Sequence, residues 1–166
     1  MKKKRNLLLL SWLLGTSVAS TAPAIKTEVL RGFSPTDSPI SRDFTLDPDK
    51  AWQAKVEKAV TLRLFELAEP GVDDCMVIFR AKLKTESVSE PAYLEMWCRF
   101  PGRGEFFSRG LENTVTGSND WASYETPFFL KKGQQPDLIK LNLVLKGSGK
   151  IWIKDVELLK APLPKR

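Results

Sequence analysis

Histidine is absent from this 166-residue chain, and cysteine occurs only at Cys75 and Cys98. Without histidine there are no Ser-His or Cys-His nucleophile pairs, and the commonest general base and metal ligand is missing. Two cysteines alone do not make a zinc site. Beyond Leu14 no apolar run approaches the roughly 20 residues that a bilayer-spanning helix needs. Internal repeats and low-complexity tracts are lacking, and Gly102-Arg103-Gly104 is a turn without the following helix that a phosphate loop requires.

What the chain does have begins at its first residues. In MKKKRNLLLLSWLLGTSVASTAPA, four positive charges at Lys2 to Arg5 precede an apolar run from Leu7 to Leu14 and then small, hydroxylated residues. This is the order of a secretory signal peptide. Small residues at −3 and −1 allow cleavage after Ala19 or after Ala24, and Ala24 is preferred. No cysteine lies near either site to take a lipid. The export segment also explains most of the basic balance. Residues 1–24 hold four of the 26 basic residues and none of the 20 acidic ones, so the formal charge falls from +6 to +2 on their removal. No polybasic run survives, and the charge is not a nucleic-acid footprint. The expected product is exported to a periplasm or to the medium, with no membrane span after cleavage and no nucleic-acid partner.

Residues 25–50, rich in Ser, Thr, Asp and Pro, read as an irregular lead-in of loops and short edge strands. Trp52 to Val60 fits both periods, and strand is preferred. Strand signals then repeat about every ten residues, and residues 51–160 form one domain, followed by a tail at 161–166. Val60 to Leu67 ends at Pro70-Gly71. In Cys75 to Lys84, Val77, Phe79, Ala81 and Leu83 share one face and Ile78, Arg80, Lys82 and Lys84 the other. In Ala92 to Phe100, Leu94, Met96, Cys98 and Phe100 alternate with Tyr93, Glu95, Trp97 and Arg99. A polar connection at Thr85 to Glu90 predicts that these two strands form an antiparallel hairpin. Glu105 to Ser108, Trp121 to Leu130, Leu138 to Lys146 and Lys150 to Leu159 complete the set, with Gly117 to Asp120 read as a turn. Short strands divided by Gly and Pro turns predict an all-β fold, an antiparallel sandwich or barrel.

The closing segments WASYETPFFL, LIKLNLVL and GSGKIWIKDVELL resemble the C-terminal half of galactose-binding-like jelly-roll domains, the fold of many carbohydrate-binding modules. The resemblance covers roughly residues 75–160. Within that group the YLEMW and ETPFFL segments are similar to small exported bacterial proteins of unassigned function. The resemblance implies a jelly-roll β-sandwich. It also implies a structural calcium ion held partly by an acidic residue of the last strand, a position that Asp155 matches. The preceding residue, commonly a second aspartate, is Lys154 here. Calcium needs about six to eight oxygens, and the other reading is a solvated aspartate at a strand bulge.

The non-core face of Ala92 to Phe100 presents Tyr93, Glu95, Trp97 and Arg99, with Arg80 and Lys82 expected beside it on the hairpin partner. Flat rings that cover apolar C–H faces, set among charged groups that orient hydroxyls, suit a sugar. The other reading is a covered face on which Glu95 pairs with Arg99 or Arg80. Trp121 follows the polar stretch Ser118-Asn119-Asp120 and could serve as a stacking residue at the rim or as a lid on the sandwich. Cys75 and Cys98 share the core parity of the expected hairpin. In an oxidising compartment they form a disulfide, or else remain two buried free thiols.

Three functions follow from this reading. The first is an exported, non-catalytic carbohydrate- or glycan-binding domain. The second is a structural or protein-interaction sandwich whose partner is an extracellular protein. The third is a carbohydrate-active enzyme using Glu95 with Glu105 or Asp155.

Overall fold

A computed structural model describes residues 26–164, so the signal peptide expected at residues 1–24 lies outside the described residues. The described chain is all β: β1 (Glu28–Phe33), β2 (Thr45–Leu46), β3 (Trp52–Val56), β4 (Val60–Ala68), β5 (Cys75–Phe100), β6 (Gly104–Arg109), β7 (Val115–Leu130), β8 (Leu138–Leu145) and β9 (Gly149–Ala161). Every pairing is antiparallel. None of the described residues forms a helix that could cross a membrane.

The expected hairpin does not form, because its two strands are the two halves of one 26-residue strand, β5. The first half pairs with β7 on one side and β9 on the other, and the second half pairs with β8 and β6. The sheet therefore curls into two leaves that share β5. One leaf holds β7, the first half of β5, β9 and, beyond β9, β3 and β1; the other holds β6, the second half of β5, β8 and β4. The polar stretch read as a connection is the corner between the leaves. Its pairing with β7 shifts register around Thr85 and Val88, Ser87 has φ +52°, and Val88 turns its side chain into the core. Bulges of this kind let a strand bend sharply. Gly117 to Asp120 likewise lies within β7, where Gly117 has φ +74°, and is not a turn between strands.

One core fills the space between the leaves. Val77, Phe79, Ala81 and Leu83 from one leaf meet Leu94, Met96, Cys98, Ile139, Leu141, Leu143 and Leu145 from the other, all at most 1% exposed. The alternation read from the sequence put Val77, Phe79, Ala81 and Leu83 on one face of their strand, and Leu94, Met96 and Cys98 on one face of theirs. The lead-in is less irregular than expected: β1 pairs with β9, and Phe33 stacks on Phe65 with ring centroids 4.1 Å apart. At the other end, Leu163 packs on a small apolar cluster of Met76, Ile78, Leu159 and Ala161.

Both cysteines are free and buried. With no hairpin, they do not lie opposite each other: Cys75 faces Leu130 in register, and Cys98 faces Ile139 and Phe106. Burial raises the Cys75 thiol and pushes the Cys98 thiol up to about 12, so both stay protonated and behave as small apolar groups.

Candidate functional site

The outward side chains of the leaf containing β4, β8, the second half of β5 and β6 fall into rows across the strands. One row runs Arg63, Asn142, Glu95, Arg109. The next runs Glu66, Lys140, Trp97, Phe107. On β5, β6 and β8 the two rows are two residues apart, as alternation requires, and on β4 they are three apart because a bulge between Arg63 and Phe65 shifts the register.

Glu95 is the centre of this face. Its carboxylate is only 4% exposed, and it accepts hydrogen bonds from Trp97 Nε1 (2.7 Å), Arg109 Nε (2.6 Å) and Asn142 Nδ2 (3.2 Å). Burial opposes its ionisation. The hydrogen bonds from Arg109, Trp97 and Asn142, with the Arg109 charge, outweigh burial and hold the carboxyl below the usual carboxylate range. The Arg109 guanidinium in turn lies 4.2 Å from the Phe107 ring centroid, and the Phe107 and Trp97 rings are tilted at 51° with centroids 5.0 Å apart. Trp97 is half-buried and Phe107 half-exposed. Thr61, Arg63, Glu95, Trp97, Glu105, Arg109, Lys140 and Asn142 line a shallow cleft of about 410 Å³ here.

The structure brings together only part of the set expected from sequence. Glu95 and Trp97 sit at the heart of the cleft. Arg99 lies on the same face one row further along, tied to Asp137 by paired hydrogen bonds of 2.9 and 3.1 Å. Tyr93 is also on this face but is buried and offers no ring surface. Glu95 takes Arg109 as its partner, not Arg99 or Arg80. Arg80, Lys82 and Trp121 belong elsewhere, because the first half of β5 lies in the other leaf. There Arg80 pairs with Glu157 and Lys82 with Asp155, each at 2.9 Å, around a separate cleft of about 540 Å³. Trp121 is half-buried under the Lys154 ammonium, 4.1 Å from its ring centroid.

Asp155 stands at a bulge where β9 shifts register against β5, with φ +51°. The Lys82 ammonium lies 2.9 Å from its carboxylate, and no group of three or more His, Cys, Asp or Glu side chains that could hold a metal occurs among the described residues. Sequence reading missed Phe107, Arg109, Lys140, Asn142, Thr61 and Arg63. Their outward parity was available in GEFFSR, LIKLNLVL and VTLRL, but which strands adjoin was not.

No protein-family model and no curated protein matches the chain. Solved structures do match. The CBM22-1 xylan-binding domain of Paenibacillus barcinonensis Xyn10C superposes with a TM-score of 0.55 at 12% identity, over 85% of this chain and 99% of that domain. A structure described as CBM4 gives a TM-score of 0.52 at 11% identity, covering 74% of this chain and 77% of that one. The fold is thus the β-sandwich jelly roll of carbohydrate-binding modules.

Proposed function

We propose that the protein is an exported, non-catalytic carbohydrate-binding domain that takes a glycan chain in the cleft around Trp97. The observation that carries this reading is the pairing of two adjoining aromatic rings, Trp97 and Phe107, with the Glu95, Arg109 and Asn142 network and with Lys140 and Arg63 lining the same cleft. Rings of this kind cover the C–H faces of a pyranose, while fixed polar groups select its hydroxyls. The fold shared with a xylan-binding domain supports the same ligand class.

A glycosidase reading fits less well. An acid catalyst needs a raised carboxyl pKa, whereas the Glu95 carboxyl is lowered. Asp155 is on the opposite leaf, and Glu105 is engaged by Lys140. Protein interaction is the second reading, and it draws on the half-exposed Phe106, Phe107 and Phe129.

The test is affinity electrophoresis and calorimetry with soluble xylan, mixed-linkage β-glucan and galactomannan. At least one is expected to bind, with Trp97→Ala weakening it about tenfold or more and Trp97→Phe retaining part of the affinity. A folded protein that ignores all neutral glycans, or binding untouched by Trp97→Ala, would overturn the assignment.

A further inference from the structure

The opposite leaf carries an arrangement that the Trp97 cleft does not use. On its outer face, Trp152 of β9 stands between Gln53 of β3 and Lys84 of β5, and the neighbouring row places Lys55, Lys150 and Glu86 side by side. Lys84 and Lys150 both lay their ammonium groups over the Trp152 ring, at 5.2 and 4.4 Å from its centroid. Lys154 lies over Trp121 at 4.1 Å and is next to Lys82 in register. Lys55 and Lys82 have carboxylate partners in Glu57 and Asp155. Among the described residues, Lys84, Lys150 and Lys154 have none.

We infer that this face is a second binding site, for an acidic polysaccharide. Three uncompensated ammonium groups gathered on two indoles are fixed in advance, so a polyanion need not pay the entropy of ordering three free lysines. They are spread across β5 and β9, neighbouring strands about 4.8 Å apart, and along β9, where Lys150 and Lys154 are four residues and roughly 13 Å apart, the span of two to three sugar units. The surrounding charges select for charge density. Glu86, Asp155 and Glu57 border the lysines and disfavour duplex DNA, which carries a charge every 1.7 Å or so of its axis, more than a polymer with one carboxylate per sugar. Trp152 is only 9% exposed beneath its lysines, so it is placed neither to stack on a base nor to enter a lipid surface.

The experiment uses the purified protein with polygalacturonate as the probe, in affinity electrophoresis and in titrations at low and physiological salt. Polygalacturonate is expected to bind and to weaken several-fold as salt rises. The Lys84→Gln, Lys150→Gln, Lys154→Gln triple variant, checked for fold by circular dichroism, should weaken binding about tenfold or more, and Lys84→Gln alone about two- to threefold, which serves if the triple variant does not fold. Trp97→Ala should leave this binding unchanged, separating it from the neutral-glycan site. Absence of polygalacturonate binding, binding insensitive to the lysine variants, or equal binding to duplex DNA or to anionic phospholipid vesicles would each overturn the inference.

Discussion

Glu95 holds a negative charge on a sheet face with little contact with water. Removing that charge while keeping the shape, as Glu95→Gln does, leaves the Arg109 and Trp97 donors with a neutral acceptor, and about 1–3 kcal/mol of stability is expected to be lost at neutral pH. The pH dependence follows from the direction of the shift. Because the folded carboxyl is held below its unfolded value, its contribution is full above the unfolded pKa, near 4.3, and is lost as pH falls through the lower folded value. Melting curves of the wild type and Glu95→Gln should therefore differ by a constant amount near pH 7 and converge only in stronger acid. A difference that vanished already at pH 6 would show that the carboxylate is not held in this way. At this scale the sequence was half legible. Alternation put Glu95 and Trp97 outward together, but the same parity grouped Tyr93 with them, and only the packing of neighbouring strands decides that Tyr93 is covered while Trp97 is not.

Among the elements, β5 and the start of β9 are coupled at the corner. Gly149 has φ +145°, and a Cβ there would stand 2.6 Å from the Val88 Cα and 3.0 Å from the Ser87 carbonyl oxygen. Neither backbone atom can retreat without moving the bend that carries β5 from leaf to leaf. Gly149→Ala is expected to cost about 2–4 kcal/mol and to lower the melting temperature by roughly 5–15 °C. Gly32→Ala, in open space on β1, should change it little. Equal melting temperatures for the two variants would refute the coupling. This corner explains why the hairpin expectation failed. Glu86, Ser87, Ser89 and Glu90 face water because the strand crosses the edge of the sandwich there, and a run of exposed polar residues reads identically as a loop or as a bulged strand. Thr85 and Val88, buried within that run, were the signal against a loop, but two residues do not establish a period.

At the scale of the whole fold, the two leaves share one core and, among the described residues, have no separate apolar interiors apart from the small cluster under Leu163. Unfolding is therefore expected to be a single transition. Far-UV circular dichroism and tryptophan fluorescence should coincide, although Trp97 and Trp152 report from opposite faces and Trp52 from the interior. Resolved midpoints would mean that the leaves open independently. The fold class was legible in sequence because it rests on strand number, turn spacing and inward parity. The partition of strands between leaves was not, because it depends on long-range pairings such as β1 with β9.

The course of β5 has a mechanical meaning. Trp97 is on its second half and Lys84 on its first, so the proposed glycan cleft and the proposed lysine face each draw one residue from the same stretch of covalent backbone. With both proposed sites occupied, the load taken at Lys84 would run along the chain to Trp97, while the load taken at Lys150 and Lys154 would cross the hydrogen bonds that join β9 to β5.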